Sequence, residues 1–143
     1  MSGGQEGTVL VTGASRGIGR AVATRLMADG LQVVNFDIAA PESLGAHETF
    51  VQVDLADEAA LRDALARTVA ERAITRLVNN AGIVRPAGID AATSADLQAV
   101  MAVNLAAASA CVQALLPAMR AARFGRIVNI SSRAALGKGE RIA

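Results

Sequence analysis

The strongest constraint on this chain is the change of rhythm between Thr8 and Gly19. Thr8-Val-Leu-Val-Thr12 is a short, apolar, β-branched run of the kind that forms a buried parallel strand. Thr12-Gly-Ala-Ser-Arg-Gly-Ile-Gly19 follows at once, and from Gly17 the apolar period becomes helical, with Ile18, Ala21, Val22, Arg25 and Leu26 on one face and Gly30 as a stop. Glycines between a strand and a helix serve two needs. They allow a sharp turn, and they let the backbone come within contact distance of a pyrophosphate. The helix start adds unpaired N–H groups and a partial positive charge suited to an anion. Gly13, Ser15, Arg16, Gly17, Ile18 and Gly19 are therefore candidate cofactor contacts. The spacing G-x-x-x-G-x-G differs from the commoner G-x-G-x-x-G, and a tight turn alone would also use glycine.

The rest of the chain keeps alternating. Strands are expected at Leu31–Phe36, Thr49–Val53, Thr75–Val78 and Arg126–Ser131. Between them, Asp57 caps a helix with Leu61, Ala64, Leu65, Thr68 and Val69 inward, and Thr93–Asp96 forms a capping box that opens a long helix. Pro117 should kink or soon end that helix, and Gly125 should close it. Alternating strands and helices imply βαβ units: an α/β, Rossmann-type, doubly wound parallel sheet in three α/β/α layers, truncated after the fifth strand. With 143 residues the chain is about one domain. Residues 1–7 read as a disordered lead-in and 8–143 as one dinucleotide-binding domain, incomplete on its C-terminal side.

Composition narrows the partners. A formal net charge of +1, with no basic block, argues against nucleic acid or an anionic membrane. Leu97–Met119 carries no charge and is long enough to span a bilayer. It is mostly alanine, however, is broken by Gln98, Asn104, Ser109 and Gln113, and contains Pro117, so a helix buried on several sides, in part by a second subunit, is expected. The single cysteine, Cys111, permits no internal disulfide and fits a core face better than a nucleophile. The N-terminus lacks a signal-peptide pattern, and a cytoplasmic setting is expected. His47 has no metal-ligand company, so no metal is expected.

Asp37 ends the second strand at the distance where a carboxylate accepts hydrogen bonds from the ribose hydroxyls of NAD. The same carboxylate would repel the 2′-phosphate of NADP, so NAD is favoured. Arg16 works the other way, and an exposed strand-end Asp can also be a plain turn residue.

Asn79-Asn-Ala-Gly82, taken with these features, resembles the short-chain dehydrogenase/reductase family. The glycine turn matches that family's T-G-x-x-x-G-x-G. Asp54-Leu55 match the acidic–apolar pair that contacts adenine, Asn104 the active-site asparagine, and Gly125–Ser132 the strand ending in the catalytic serine, Ser132, with Ser131 its rival. The resemblance runs from Thr8 to Ser132. It implies Asn104 and Ser132 as catalytic residues, and Ile38, Asp54, Leu55, Asn80, Ala81, Gly82 and Ile130 as further cofactor contacts. It implies hydride transfer between a nicotinamide and an alcohol or ketone, in the manner of a 3-oxoacyl-ACP reductase, and a homo-oligomer, a dimer or homotetramer. Thr75-Arg76 departs from the acidic residue common there. The family's proton donor is a tyrosine in Y-x-x-x-K; this chain has no tyrosine, and its only lysine, Lys138, is not in such a motif. Alone, the chain is thus expected to be inactive, an N-terminal part of a longer enzyme with one sheet edge and both faces partly uncovered. The alternative is a dinucleotide-binding module without catalysis, for which Asn104 and Ser132 would have no use.

Overall fold

The computed structural model describes residues 7–136, so the expected lead-in at 1–6 and Lys138 lie outside the described residues. Five parallel strands form one sheet: β1 (Thr8–Thr12), β2 (Gln32–Asp37), β3 (Glu48–Gln52), β4 (Arg76–Asn79) and β5 (Arg126–Asn129), in the order β3-β2-β1-β4-β5. The helices are α1 (Gly17–Ala28), α2 (Glu58–Glu71), α3 (Ser94–Met101) and α4 (Ala107–Ala121), with a π-helical turn, Ala102–Ala106, between the last two. A 3₁₀ turn, Arg133–Leu136, follows β5.

The sheet is buried on both faces where it is central. Val9, Val11, Val33 and Val78 pack under α1, while Leu10, Val34, Phe36 and Leu77 pack under α2 and α4. Consecutive strand residues point to opposite faces, so unbroken apolar runs such as Val9-Leu10-Val11 supply both layers. Complete burial of Phe36 alone is worth about 1.5–3 kcal/mol.

Strand ends differ from expectation by one or two residues, for local reasons. Leu31 does not open β2; its N–H bonds Leu26 O (3.1 Å), while Gly30, at φ +88°, bonds Met27 O (3.0 Å), which is how α1 ends. β5 stops at Asn129 because its strand neighbour among the described residues, β4, stops at Asn79, whose carbonyl accepts one last bond from Ile130 N–H (2.9 Å). The packed face of α1 is also rotated from the expected one. Gly19, Val22, Ala23, Leu26 and Met27 turn inward, whereas Ile18 is 65% exposed and Ala21 and Arg25 face outward.

Asp57 caps α2 by accepting from Ala60 N–H (3.0 Å), and Leu61, Ala64, Leu65 and Thr68 are buried as expected. The Thr93–Asp96 capping box forms in both directions. Bonds from the Thr93 hydroxyl and then its backbone N–H hold the Asp96 carboxyl below its ordinary 3.8, so the carboxylate half of this cap is complete at neutral pH and weakens as pH falls through the lowered value. Pro117 lies within α4, which runs four residues further, to Ala121. Gly125 does not close α4. Arg123, at φ +49°, takes the left-handed position instead, with Phe124 N–H bonding Met119 O (3.1 Å).

Helices α3 and α4 with the π turn between them make one continuous stretch, Ser94–Ala121, long and apolar enough to cross a membrane by length and composition. Among the described residues only one side of it is buried: Ala107, Cys111, Leu115 and Met119 pack into the core, while Leu97, Met101 and Leu105 are exposed. The expected burial on several sides is thus not met among the described residues of this single chain. β5 is open on both faces as expected: Ile127 is 42% and Val128 49% exposed.

Burial pushes the Cys111 thiol up to about 12. The thiolate is the reactive form. Cys111 should therefore resist an aromatic disulfide reagent at pH 8 in the folded protein and react at once after denaturation; prompt labelling of the native protein would show the packing to be wrong.

Candidate functional site

The strand order reverses at β1. Its connection leaves toward β2 on one side, and β4 lies on the other. The carboxyl ends of such strands open a crevice, the usual ligand position in an open α/β sheet. Here the loop after β1 is the glycine turn and the loop after β4 is Asn80–Gly82, so the two motifs face each other across the reversal.

Side chains of both loops fix this meeting. Asn80 Nδ2 donates to Thr12 O (3.0 Å) and Gly13 O (3.0 Å), while the Thr12 hydroxyl accepts from Asn80 N–H (3.1 Å) and Ala81 N–H (3.1 Å). Each glycine in the turn has its own reason. Gly13 and Gly17 have φ of +69° and +57°, a region that L side chains rarely adopt. A Cβ on Gly19 would lie 2.0 Å from Gly13 O and 2.4 Å from Asn80 Nδ2. At Gly17 a Cβ would meet nothing within 4 Å, so this part of the turn faces open space.

A cleft of about 380 Å³ lies over the turn. Its walls bring together Gly13, Arg16, Gly17, Ile18, Asp37, Ile38, Asp54, Leu55, Asn80, Ala81 and Gly82, drawn from four separate loops. Gly19 is buried beneath it, and Ser15 is tied to Asp37, whose Oδ2 accepts from Ser15 N–H (2.9 Å). The other Asp37 oxygen accepts from Ile38 N–H (2.7 Å). Asp54 Oδ1 accepts from Ala56 N–H (2.9 Å), which turns the chain from β3 toward α2. Phe36, Val53, Ile83 and Val103 also line this cleft and were not singled out from the sequence. They are ordinary apolar residues whose role comes only from position.

The cleft continues into a larger crevice of about 860 Å³, and Ile18, Leu55, Asn80–Ile83 and Val103 line both. Asn104, Ile130, Ser131 and Ser132 belong to this second part. Asn104 sits in the π turn, where the helical period slips by one residue, a feature frequent at functional sites. It is exposed rather than on a buried face with Leu97, Val100, Met101, Ala108 and Cys111, because the slip separates Leu97 and Met101 from the core side of α4. Its amide grips the loop after β4 twice: Oδ1 accepts from Ile83 N–H (2.8 Å) and Nδ2 donates to Ile83 O (3.0 Å). Ser132 lies three residues beyond β5, exposed, and its Oγ accepts from Ala134 N–H (3.2 Å) at the start of the 3₁₀ turn. Among the described residues, no group of three or more His, Cys, Asp or Glu converges on a metal position.

These residues form a two-part crevice at the switch point of an open, parallel α/β sheet. A family model for short chain dehydrogenases matches residues 7–143, and the chain belongs to that family. It is 36% identical over 136 residues to the short-chain dehydrogenase/reductase olcF of Penicillium canescens, covering 91% of this chain and 53% of that protein. It is likewise 36% identical over 130 residues to a 3-oxoacyl-[acyl-carrier-protein] reductase of Escherichia coli, covering 86% and 53%. Among solved structures, a 3-oxoacyl (acyl-carrier-protein) reductase of Agrobacterium tumefaciens with NADP bound superposes with a TM-score of 0.85 at 33% identity, covering 95% of this chain and 56% of that one. The chain spans about half the length of the curated relatives it matches.

Two substitutions test the turn. Gly19→Ala must displace a backbone carbonyl, so it should cost about 1–3 kcal/mol of stability, read by thermal or urea unfolding. Asn80→Ala strips partners from Thr12 O and Gly13 O and should cost about 1–3 kcal/mol as well. Wild-type stability in either variant would contradict the contacts described.

Proposed function

We propose that the whole protein is a nicotinamide-dependent oxidoreductase that moves hydride between cofactor and an alcohol or carbonyl carbon, and that this chain carries its cofactor-binding part. One observation carries the reading. A single cleft gathers the glycine turn, the Asp37 carboxylate, Asp54-Leu55 and Asn80–Gly82, and runs into a crevice holding Asn104 and Ser132. The residues fit the group. Gly17 leaves open space at the N-terminus of α1, where N–H groups and the helix dipole favour a pyrophosphate. Leu55 and the exposed Ile18 and Ile38 offer apolar walls to flat rings.

Gly13, Ser15, Arg16, Gly17, Ile18 and Gly19 would hold or shape the pyrophosphate site. Asp37 and Ile38 would take the adenosine ribose, Asp54 and Leu55 the adenine, and Asn80, Ala81, Gly82 and Ile130 the nicotinamide side. The bound cofactor supplies the hydride. Ser132 would hold the substrate oxygen by its hydroxyl, and Asn104 would keep the loop after β4 in place through Ile83. Proton transfer needs a group whose proton moves at working pH. The family resemblance gives that role to a tyrosine, and these 143 residues hold none.

NAD is favoured over NADP because a 2′-phosphate would be brought against Asp37. Small alcohols or ketones, 3-oxoacyl thioesters among them, are the substrate class suggested by the relatives. The exposed Leu97, Met101 and Leu105 on one long helix support a homo-oligomer, a dimer or tetramer, in place of a membrane contact, and a cytoplasmic setting suits the single buried thiol.

Titration of the full-length protein with NADH and NADPH tests this reading. NADH should bind more tightly, and Asp37→Ala should lower the NADH-to-NADPH affinity ratio by about tenfold or more, the order expected from removing one close like-charge contact. Equal ratios before and after the substitution would refute the role of Asp37. The absence of a Y-x-x-x-K in the coding sequence downstream of Ser132 would leave the binding-module reading as the better one.

A further inference from the structure

A buried polar chain lies beneath the glycine turn and touches nothing in the cleft. Asn35 stands in the middle of β2 among Val33, Val34 and Phe36, and its side chain is as buried as theirs. A polar group in that position must find partners within the fold. Asn35 Oδ1 accepts from Ala14 N–H (3.2 Å), and Nδ2 donates to Ser15 Oγ (3.0 Å) and to Glu48 Oε1 (3.0 Å). The Glu48 side chain is 0% exposed, and its carboxylate is met by both terminal nitrogens of Arg20 (3.0 and 2.9 Å) and by Gly45 N–H (2.9 Å). The chain thus runs from α1, through β3, into β2, and ends on the turn.

Its end point is what gives it meaning. Three successive β2 residues hold three successive turn residues: Phe36 O accepts from Gly13 N–H (2.8 Å), Asn35 from Ala14 N–H and Asp37 from Ser15 N–H. The N–H groups of residues 13–15 are therefore committed to β2, and those left for an anion are in the first turn of α1. A buried ion pair is weak evidence for stability, because apolar residues of the same volume commonly do as well. Such a pair does fix an orientation, since its geometry admits few alternatives.

We propose that Asn35, anchored by the Arg20–Glu48 pair, is a positioning residue that presets the glycine turn for the cofactor. Ser15 is held at both its hydroxyl and its N–H, so Asn35 also steadies the Asp37 carboxylate through Ser15. This rests on the cofactor reading above. It adds that cofactor affinity and the choice between NADH and NADPH depend on residues that never touch the cofactor.

The test uses the full-length protein. Asn35→Leu keeps the volume, removes all three Asn35 bonds and leaves Arg20 paired with Glu48. The Kd for NADH should rise about tenfold, and the NADH-to-NADPH ratio should fall, while far-UV circular dichroism is unchanged. Hydrogen exchange at Ala14 N–H should accelerate about tenfold without change at Leu77 N–H in β4. Should Asn35→Leu fail to fold, the double variant Arg20→Met/Glu48→Leu removes the anchor without leaving a buried charge and should weaken NADH in the same direction. Glu48→Gln, which keeps an acceptor for Asn35, should recover most of the affinity that Glu48→Leu loses. A folded Asn35→Leu or double variant with wild-type NADH affinity and a protected Ala14 amide would overturn the positioning role alone. Failure of the wild-type protein to bind NADH would overturn the cofactor reading and this proposal with it.

Discussion

Two carbonyl groups, those of Thr12 and Gly13, set the terms for the rest of the crevice. A strand that breaks into a tight turn leaves them without ladder partners, and an unpaired backbone group away from water is costly. The Asn80 amide meets both at 3.0 Å. That one side chain ties the loop after β4 to the loop after β1, and so fixes the two walls of the switch point relative to each other. Gly19 must be glycine because the same carbonyl of Gly13 and the same amide occupy the space its Cβ would need.

The bonding around the turn divides the labour between strands. β2 takes the N–H groups of residues 13–15, and Asn80, just after β4, takes the carbonyls of residues 12 and 13. With both sides of its early backbone used, the turn presents outward mainly the start of α1 and the open side of Gly17. The exposed Ile18 follows from this: its neighbour Gly19 is the residue that packs, so Ile18 is left on the cleft wall.

Much of this was legible in the chain itself. Uninterrupted apolar runs such as Val9-Leu10-Val11 told of strands buried on both faces, and Asp57 and Thr93 announced their helix starts because capping chemistry is local. The misreadings came where a tertiary choice overrode a local one. Gly125 looked like the natural stop for α4, yet Arg123 took the left-handed position. A period of 3.6 would put Asn104 on one face with Leu97, Val100, Met101, Ala108 and Cys111, but the π turn shifts the register just there, so the residue emerges exposed and grips Ile83. Asn35 and Glu48 were passed over because nothing local distinguishes a buried network from a polar residue in a strand or at its start. The one available signal was an asparagine inside the run Val33-Val34-Asn35-Phe36, where a buried polar group demands partners.

The two parts of the crevice are held to different degrees. The cleft over the glycine turn is cross-bonded between elements: turn to β2, turn to the loop after β4, and that loop to the π turn. On the other side, the Ser132 hydroxyl has one local bond, to Ala134 N–H, and β5 leaves Ile127 and Val128 open on opposite faces. Preset geometry lowers the ordering cost of binding, so it belongs where the ligand is large, flexible and always the same. A dinucleotide fits that description better than a substrate does. The cleft proposed for the dinucleotide is thus walled by the loops after β1, β2, β3 and β4 together with the π turn, whereas the Ser132 side rests on the end of β5, the edge strand with the most open faces.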